Sequence, residues 1–229
     1  MASSIELSIV VPTLNEEAMA QKNLARVREV APHAELIVVD GGSDDATLDI
    51  AARYADEVLT ANPGRSCQMN TGAEIASGNY ILFLHADTWL PENFDAVFQE
   101  WKNTRPIWGH FILCLSGQGW IFRWIETMIN LRTKITDGAT GDQCQIVRAD
   151  AFRDIGGFPD IPLLEDLALS KHLRRIMPSK VLPAEVLSSS RRWEEKGVMR
   201  TILLMWALRI AYTFGVHPRY FSKSYRLCS

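Results

Sequence analysis

The chain has 229 residues, 47% hydrophobic and 22% charged, with a formal net charge of -3. That length suits one sizeable domain, whose core needs no disulfide or structural metal. The composition excludes disorder, and the slight acidic excess argues against a nucleic-acid partner.

Met1 to Leu7 holds no basic stretch followed by an apolar one, so no secretion signal is expected. Cys67, Cys114, Cys144 and Cys228 are scattered and form no CxxC pair. They read as reduced thiols of a cytoplasmic protein. Leu7 to Val11 reads as a strand, and Asn15 as the cap of a helix whose first turn carries Glu16 and Glu17. Leu36 to Val39 is a second strand, running into Asp40-Gly41-Gly42-Ser43. A helix follows from Asp45 to Tyr54, capped by Asp44 or Ser43, then a strand from Glu57 to Thr60. Asn62-Pro63-Gly64 turns the chain into a helix from about Ser66 to Ala76, and Ile81 to Leu84 is a fully buried strand. Strands alternating with helices of this length imply βαβ units and an α/β fold with a parallel sheet.

The second half is less regular. Glu92 to Asn103, Trp120 to Leu131, Asp150 to Ile155 and Leu164 to Ile176 read as helices. Trp108 to Leu115 and Gln143 to Val147 read as strands, and insertions near Gly117 and Gly138 as site-forming loops. Val198 to Phe214 is a very apolar helix interrupted by Arg200 and Arg209. Those charges disfavour a membrane span; core packing is the favoured reading, and a helix on a membrane surface, through 198–216, is the alternative.

The strand Ile81 to Leu84 runs straight into His85-Ala86-Asp87. In open α/β sheets ligands sit beyond the carboxyl ends of the strands. Asp87 is placed there to hold a hard divalent cation and the phosphates that accompany it, with a helix cap as the plainer reading. His85 would be a second ligand or would orient Asp87. Asp40 ends a strand before two glycines, so it either contacts a nucleotide or caps an ordinary turn. Glu165 and Asp166 open an amphipathic helix; adjacent carboxylates raise each other's pKa, which suits a general base, although an acidic first turn is common in any helix. Arg191 and Arg192 would clamp phosphate or belong to a solvated face; Arg65 would approach phosphate or lie on the surface.

Together these segments resemble the family 2 glycosyltransferases, inverting enzymes of the GT-A fold. Val11-Pro12-Thr13-Leu14-Asn15-Glu16 is similar to the opening P-x-x-N-E segment, and Asp40 through Thr47 to D-D-x-S-x-D-x-T. Gly72 to Asp87 resembles the segment ending in D-x-D, and Glu165-Asp166 the E-D pair. A closer likeness is to a compact bacterial subgroup associated with radical-SAM or selenium-related gene clusters. Its G-R-[SA]-x-Q-M-N-x-G and F-L-H-A-D-T motifs stand here as Gly64 to Gly72 and Phe83 to Thr88. Gly41 replaces the second Asp of the nucleotide segment, and His85 the first Asp of D-x-D. The latter change bears on metal affinity and identity more than on reaction class.

The resemblance implies a single domain: a nucleotide-binding half at about 1–90, an acceptor half at about 91–193 and a helical tail at 194–229. It implies a nucleotide-sugar donor, UDP-sugar first, with Mg²⁺ or Mn²⁺ on Asp87. Pro12, Thr13, Asn15, Glu16, Asp40, Gly42, Arg65, Asn70, His85, Ala86, Arg191 and Arg192 would surround the donor. Asp166, aided by Glu165, would take the proton from an acceptor hydroxyl on a lipid, sugar, peptide or small molecule. A nucleotidyltransferase of similar sheet and a non-catalytic nucleotide-binding or membrane-recruiting module are the rival readings. The first would want a glycine- and Arg/Lys-rich loop where Pro12 to Glu17 stands.

Overall fold

The computed structural model describes residues 5–220, apart from the side chains of Arg192 and Lys196. Strands β1 (Leu7–Thr13), β2 (Glu35–Asp40), β3 (Glu57–Thr60) and β4 (Tyr80–Phe83) alternate with helices α1 (Glu17–Val30), α2 (Thr47–Tyr54) and α3 (Arg65–Ile75). Then come β5 (Thr88–Trp89), α4 (Phe94–Asn103), β6 (Trp108–Leu115), α5 (Trp120–Thr136), a 3-10 turn (Gly141–Gln143), β7 (Ile146–Arg148) and α6 (Ala149–Asp154). The described chain closes with α7 (Glu165–Leu173), β8 (Lys180–Ser188), α8 (Arg191–Lys196) and α9 (Val198–Thr213).

The strands form one eight-stranded sheet in the order β3-β2-β1-β4-β7-β6-β8-β5. β1 to β4 are mutually parallel, with Val10 opposite Ile37 and Phe83. β7 is antiparallel to β4 and β6, β8 runs parallel to β6, and β5 pairs antiparallel with β8. β1 and β4 are buried throughout, the expected state of central strands covered by helices on both faces. Alternate residues serve opposite cores. Ile9, Val11, Leu36 and Val38 pack with Leu24, Val27 and Ile50 on one face, joined by Phe94, Phe98 and Trp101. Val10, Ile37, Val39 and Ile81 pack with Met69 and Ala73 on the other, joined by Trp108 and Phe152. Helix α3 lies close against that face because Gly72 has no side chain: a Cβ there would stand 2.5 Å from Val10 Cγ1.

Several expectations are corrected. Asn15 does not cap α1; it adopts a left-handed conformation (φ 53) and the helix starts at Glu17. The second helix starts at Thr47, and Asp45, not Asp44 or Ser43, accepts the Thr47 amide (3.0 Å). The strand read from Gln143 shrinks to Ile146–Arg148, because Gln143 closes a capping box with Thr140. β8 was absent from the sequence reading because Pro183 interrupts it. The proline is accommodated where the β6–β8 register shifts, between the pairs Phe111–Leu182 and Ile112–Glu185.

The final apolar helix is not a core helix. In α9 only Thr201 and Leu208 are buried, while Met199, Leu203, Trp206, Ile210 and Phe214 are exposed. Its inner side joins a small cluster with α5 and the end of β6, through Val198, Ile202, Phe122, Ile125 and Leu113. Among the described residues no helix is long and apolar enough to cross a membrane. Cys67, Cys114 and Cys144 are free thiols, and Cys228 lies outside the described residues.

Candidate functional site

The carboxyl ends of β1, β2 and β4 open on one side of the sheet, where their loops are tied together. Asp40 is fully buried at the end of β2. Its carboxylate accepts the Gly42 amide (2.8 Å), the Ser43 amide (2.7 Å) and the hydroxyls of Thr13 and Ser43. Asp40 therefore shapes the Gly41–Ser43 loop, with Gly42 at φ +94. The loops after β1 and β2 zip together: Asn15 N–H donates to Ser43 Oγ (2.8 Å), Asp44 N–H to Asn15 Oδ1 (2.9 Å), and Glu16 N–H to Thr47 Oγ1 (2.9 Å). From α3, Gln68 Nε2 reaches the carbonyls of Thr13 (2.7 Å) and Val39 (2.9 Å).

The turn after β4 is held from α1. Asn23 Nδ2 donates to the carbonyls of His85 (3.3 Å), Ala86 (3.0 Å) and Thr88 (2.6 Å). Three main-chain acceptors are thus served by one buried amide, which leaves Asp87 on a rigid turn. On the other side, Ser189 N–H donates to the Asp87 carbonyl (2.9 Å) from the end of β8.

A cavity of about 130 Å³ lies at this junction, lined by Arg65, His85, Asp87, Asp142, Glu165 and Asp166, with Trp193 and Arg209 closing it. Three roomier grooves, of about 570, 470 and 430 Å³, lie elsewhere and contain none of these carboxylates. Gly141 N–H donates to Asp166 Oδ2 (2.8 Å), and Leu167 N–H to Asp166 Oδ1 (2.7 Å). Each carboxylate oxygen keeps a second lone pair, so these bonds orient Asp166 without consuming its capacity to take a proton. Leu164 sits left-handed (φ 64) at the entry to α7, which sets Glu165 inward and Asp166 at the cavity. Burial, reinforced by Asp166, raises the Glu165 carboxyl above its ordinary range.

Asp142 was not singled out from the sequence, yet it faces His85, whose Nδ1 is 3.5 Å from Asp142 Oδ1. Its side chain is 45% exposed, but to a cavity walled by protein. Desolvation works against its charge; the hydrogen bond and charge of His85, then Arg65 and Arg209, outweigh this and pull the carboxyl down to about 2. The imidazole packs directly on Gly141, where a Cβ would stand 2.3 Å from His85 Cε1.

The structure thus brings Arg65, His85, Asp87, Glu165 and Asp166 into one cluster. Glu16 joins it electrically: burial and Asp87 raise its carboxyl, opposed by Arg191 and Arg65. Arg191 Nη2 lies 3.5 Å from Glu16 Oε2, while the Arg192 side chain lies outside the described residues. Pro12, Thr13 and Asp40 end the adjoining strands β1 and β2, Asn15 and Gly42 lie in the loops that follow, and Ala86 is buried. Asn70 stands apart. Its amide exchanges two hydrogen bonds of 2.9 Å with the Phe158 main chain and so clips that loop to α3. Asn23 and Gln68 were legible only as polar residues on inward helix positions; Asp142 was legible only as an acid within a glycine-containing insertion.

Among the described residues no three His, Cys, Asp or Glu side chains are placed to hold a metal ion by themselves. Asp87 nevertheless fits a hard cation that draws its other ligands from phosphate oxygens and water, since such ions are bound through one or two carboxylates.

The profile of the family described as Glycosyl transferase family 2 matches residues 8–156. A curated relative, a PGL/p-HBAD biosynthesis glycosyltransferase of Mycobacterium tuberculosis, is 39% identical over 93 residues, 37% of this chain and 36% of that protein. The chain thus spans about a third of the length of that relative. S. aureus TarS 1-349 in complex with UDP superposes with a TM-score of 0.65 at 20% identity, over 87% of this chain and 64% of that one. Mannosyltransferase PcManGT from Pyrobaculum calidifontis, in complex with GDP-Man and Mn2+, gives 0.65 at 18% identity, over 97% and 68%.

Proposed function

Because this chain belongs to glycosyl transferase family 2, we propose that it transfers a sugar from a nucleotide-diphosphate sugar, a UDP-sugar first, to an acceptor hydroxyl in one inverting displacement. The observation that carries this reading is the convergence of Asp87 and Asp166, far apart in sequence, on one cavity at the carboxyl ends of the parallel strands.

Base and ribose would lie on the loops that Asp40 and Asn15 organise. The diphosphate would lie toward Asp87, with Arg65 and Arg191 in reach of its charge. Asp87 would hold Mg²⁺ or Mn²⁺, which supplies charge neutralisation for a departing diphosphate. Asp166 accepts the acceptor's hydroxyl proton as its oxygen attacks the anomeric carbon. Glu165, whose carboxyl burial raises above its ordinary range, stands beside the base as its aid. Gly141 N–H fixes the direction of Asp166, and the His85–Asp142 pair occupies the place of the missing first carboxylate of D-x-D.

The exposed apolar side of α9, together with the absence of acidic residues from Gly197 to Tyr220, supports peripheral contact with an anionic bilayer through 198–216. A donor screen tests the central reading: UDP-sugars or GDP-sugars with Mn²⁺ or Mg²⁺ are expected to release the nucleoside diphosphate. No release from any donor, with no thermal shift from UDP or GDP, would overturn it.

A further inference from the structure

Two arginines are not used in that reaction: Arg209 lines the cavity with Asp166, and Arg132, which is not among the lining residues, lies within reach of the Asp166 charge. Arg132, on α5, donates through Nη2 to Thr133 Oγ1 (3.1 Å) and to the Gly138 carbonyl (3.2 Å). Its Nε and Nη1 are buried without a hydrogen-bond partner. No described carboxylate forms an ion pair with it. Buried N–H donors left unmet are costly, and on a cation they call for an anion. Arg209, on α9, lines the cavity next to Asp166 and Asp142. Burial first, then the charge of Arg209, lowers the Arg132 pKa to about 10, against the opposing pull of Asp166 and Asp142. Two guanidinium groups are therefore within electrostatic reach of each other, Arg209 in the cavity wall and Arg132 on α5.

The helix that carries Arg209 has two unlike sides. Thr201, Met205, Leu208 and Arg209 face the cavity. Met199, Leu203, Trp206, Ile210 and Phe214, spaced three or four apart, form the opposite stripe, and Phe214 is 83% exposed. Trp120, Trp124 and Ile135 on α5 are exposed apolar side chains as well. Charge complementarity selects its occupant: Arg200, Arg209 and Arg219 are the only Asp, Glu, Lys or Arg residues between Gly197 and Tyr220, in a chain whose net charge is -3.

We propose that the acceptor is an anionic phospholipid with a free hydroxyl in its headgroup, its phosphate on Arg132 and Arg209, its hydroxyl at Asp166, and its acyl chains left in the bilayer beneath α5 and α9. This rests on the glycosyl-transfer reading. In the step, the headgroup oxygen forms a bond to the anomeric carbon and gives its proton to Asp166. The bond from that carbon to the diphosphate breaks, and its electron pair leaves with the nucleoside diphosphate.

The test uses the full chain and needs no donor. Monomeric dihexanoylphosphatidylglycerol, dihexanoylphosphatidylcholine and glycerol phosphate are titrated by calorimetry, with UDP and GDP measured alongside. The phosphatidylglycerol is expected to bind about tenfold more tightly than either other probe, and Arg132→Gln to remove about tenfold of that affinity. Arg132→Lys should retain part of it, and UDP or GDP affinity should stay unchanged in both. Should Arg132→Gln fail to fold by circular dichroism, Arg209→Gln carries the same expectation. Equal binding of the two lipids, glycerol phosphate binding as tightly as the lipid, or unaltered lipid affinity in the folded variants would overturn the proposal. So would a parallel loss of UDP or GDP affinity, which would assign the arginines to the donor. Absence of nucleotide binding in the unaltered chain strikes the transfer reading instead, while the lipid preference is read separately.

Discussion

The two sides of the cavity are held by different means. On the β1, β2 and β4 side the loops are clamped from within by neutral buried amides: Gln68 on the Thr13 and Val39 carbonyls, Asn23 on those of His85, Ala86 and Thr88. On the other side, the wall is assembled from the 141–143 turn, the start of α7, the end of β8 and the inner side of α9. There charged groups meet across short gaps, as in His85–Asp142, and α9 leaves its outer side uncovered. The first side is rigid before any ligand arrives. The second gathers Asp166, Arg209 and the helix with the uncovered apolar side, the parts that an acceptor would meet in the proposed reaction.

The largest effect expected from perturbing either side is at the base. Asp166→Asn should lower transfer by about 10²- to 10⁴-fold while nucleotide affinity, read by calorimetry, stays put. Full activity would remove Asp166 from its role and the charged wall from the chemistry. Next is Gly141→Ala, which drives a methyl into the His85 ring. It should cost about 1–3 kcal/mol in urea unfolding and displace the His85–Asp142 pair. Asn23→Ala probes the clamped side: three main-chain acceptors lose their donor, for a loss of about 1–2 kcal/mol and a weaker response to UDP or GDP in thermal shift. A nucleotide response unchanged in Asn23→Ala would mean that the clamp serves folding alone.

The smallest effect is a pH dependence. Asp142 gives up its proton more readily in the folded chain, about 2 against the ordinary 3.8. Its contribution is therefore intact above about pH 4 and lost as pH falls toward about 2. With the side chain 45% exposed, solvent screening holds that contribution to about 1 kcal/mol or less. Asp142→Asn should flatten the stability curve in this acid window and lower stability at neutral pH by that same amount, about 1 kcal/mol or less. A steeper acid loss in the variant would contradict the pairing with His85.

Sequence alone determined the parallel half. Runs such as Leu7–Val11 and Ile81–Leu84, each followed by turn residues and a helix, define βαβ units through local periodicity, and the apolar run before it sets Asp87 just beyond a strand end. The adjacency of Glu165 and Asp166 is equally plain in the sequence, but their unlike placement is not: Glu165 is buried at the left-handed entry to α7, and the 3-10 turn holds Asp166. β8 escaped notice because Pro183 breaks its pattern, and a proline bulge is legible only against the partner strand that accommodates it. The polar clamps Asn23 and Gln68, the Asp142 partner of His85 and the Arg132–Arg209 pair were likewise decided by tertiary structure. Each joins residues distant in sequence, and hydrogen bonds and charge act through distance in space, on which hydrophobic period carries no information. α9 shows the same limit: its composition is that of a core helix, and only the lack of a covering layer turns its apolar side outward.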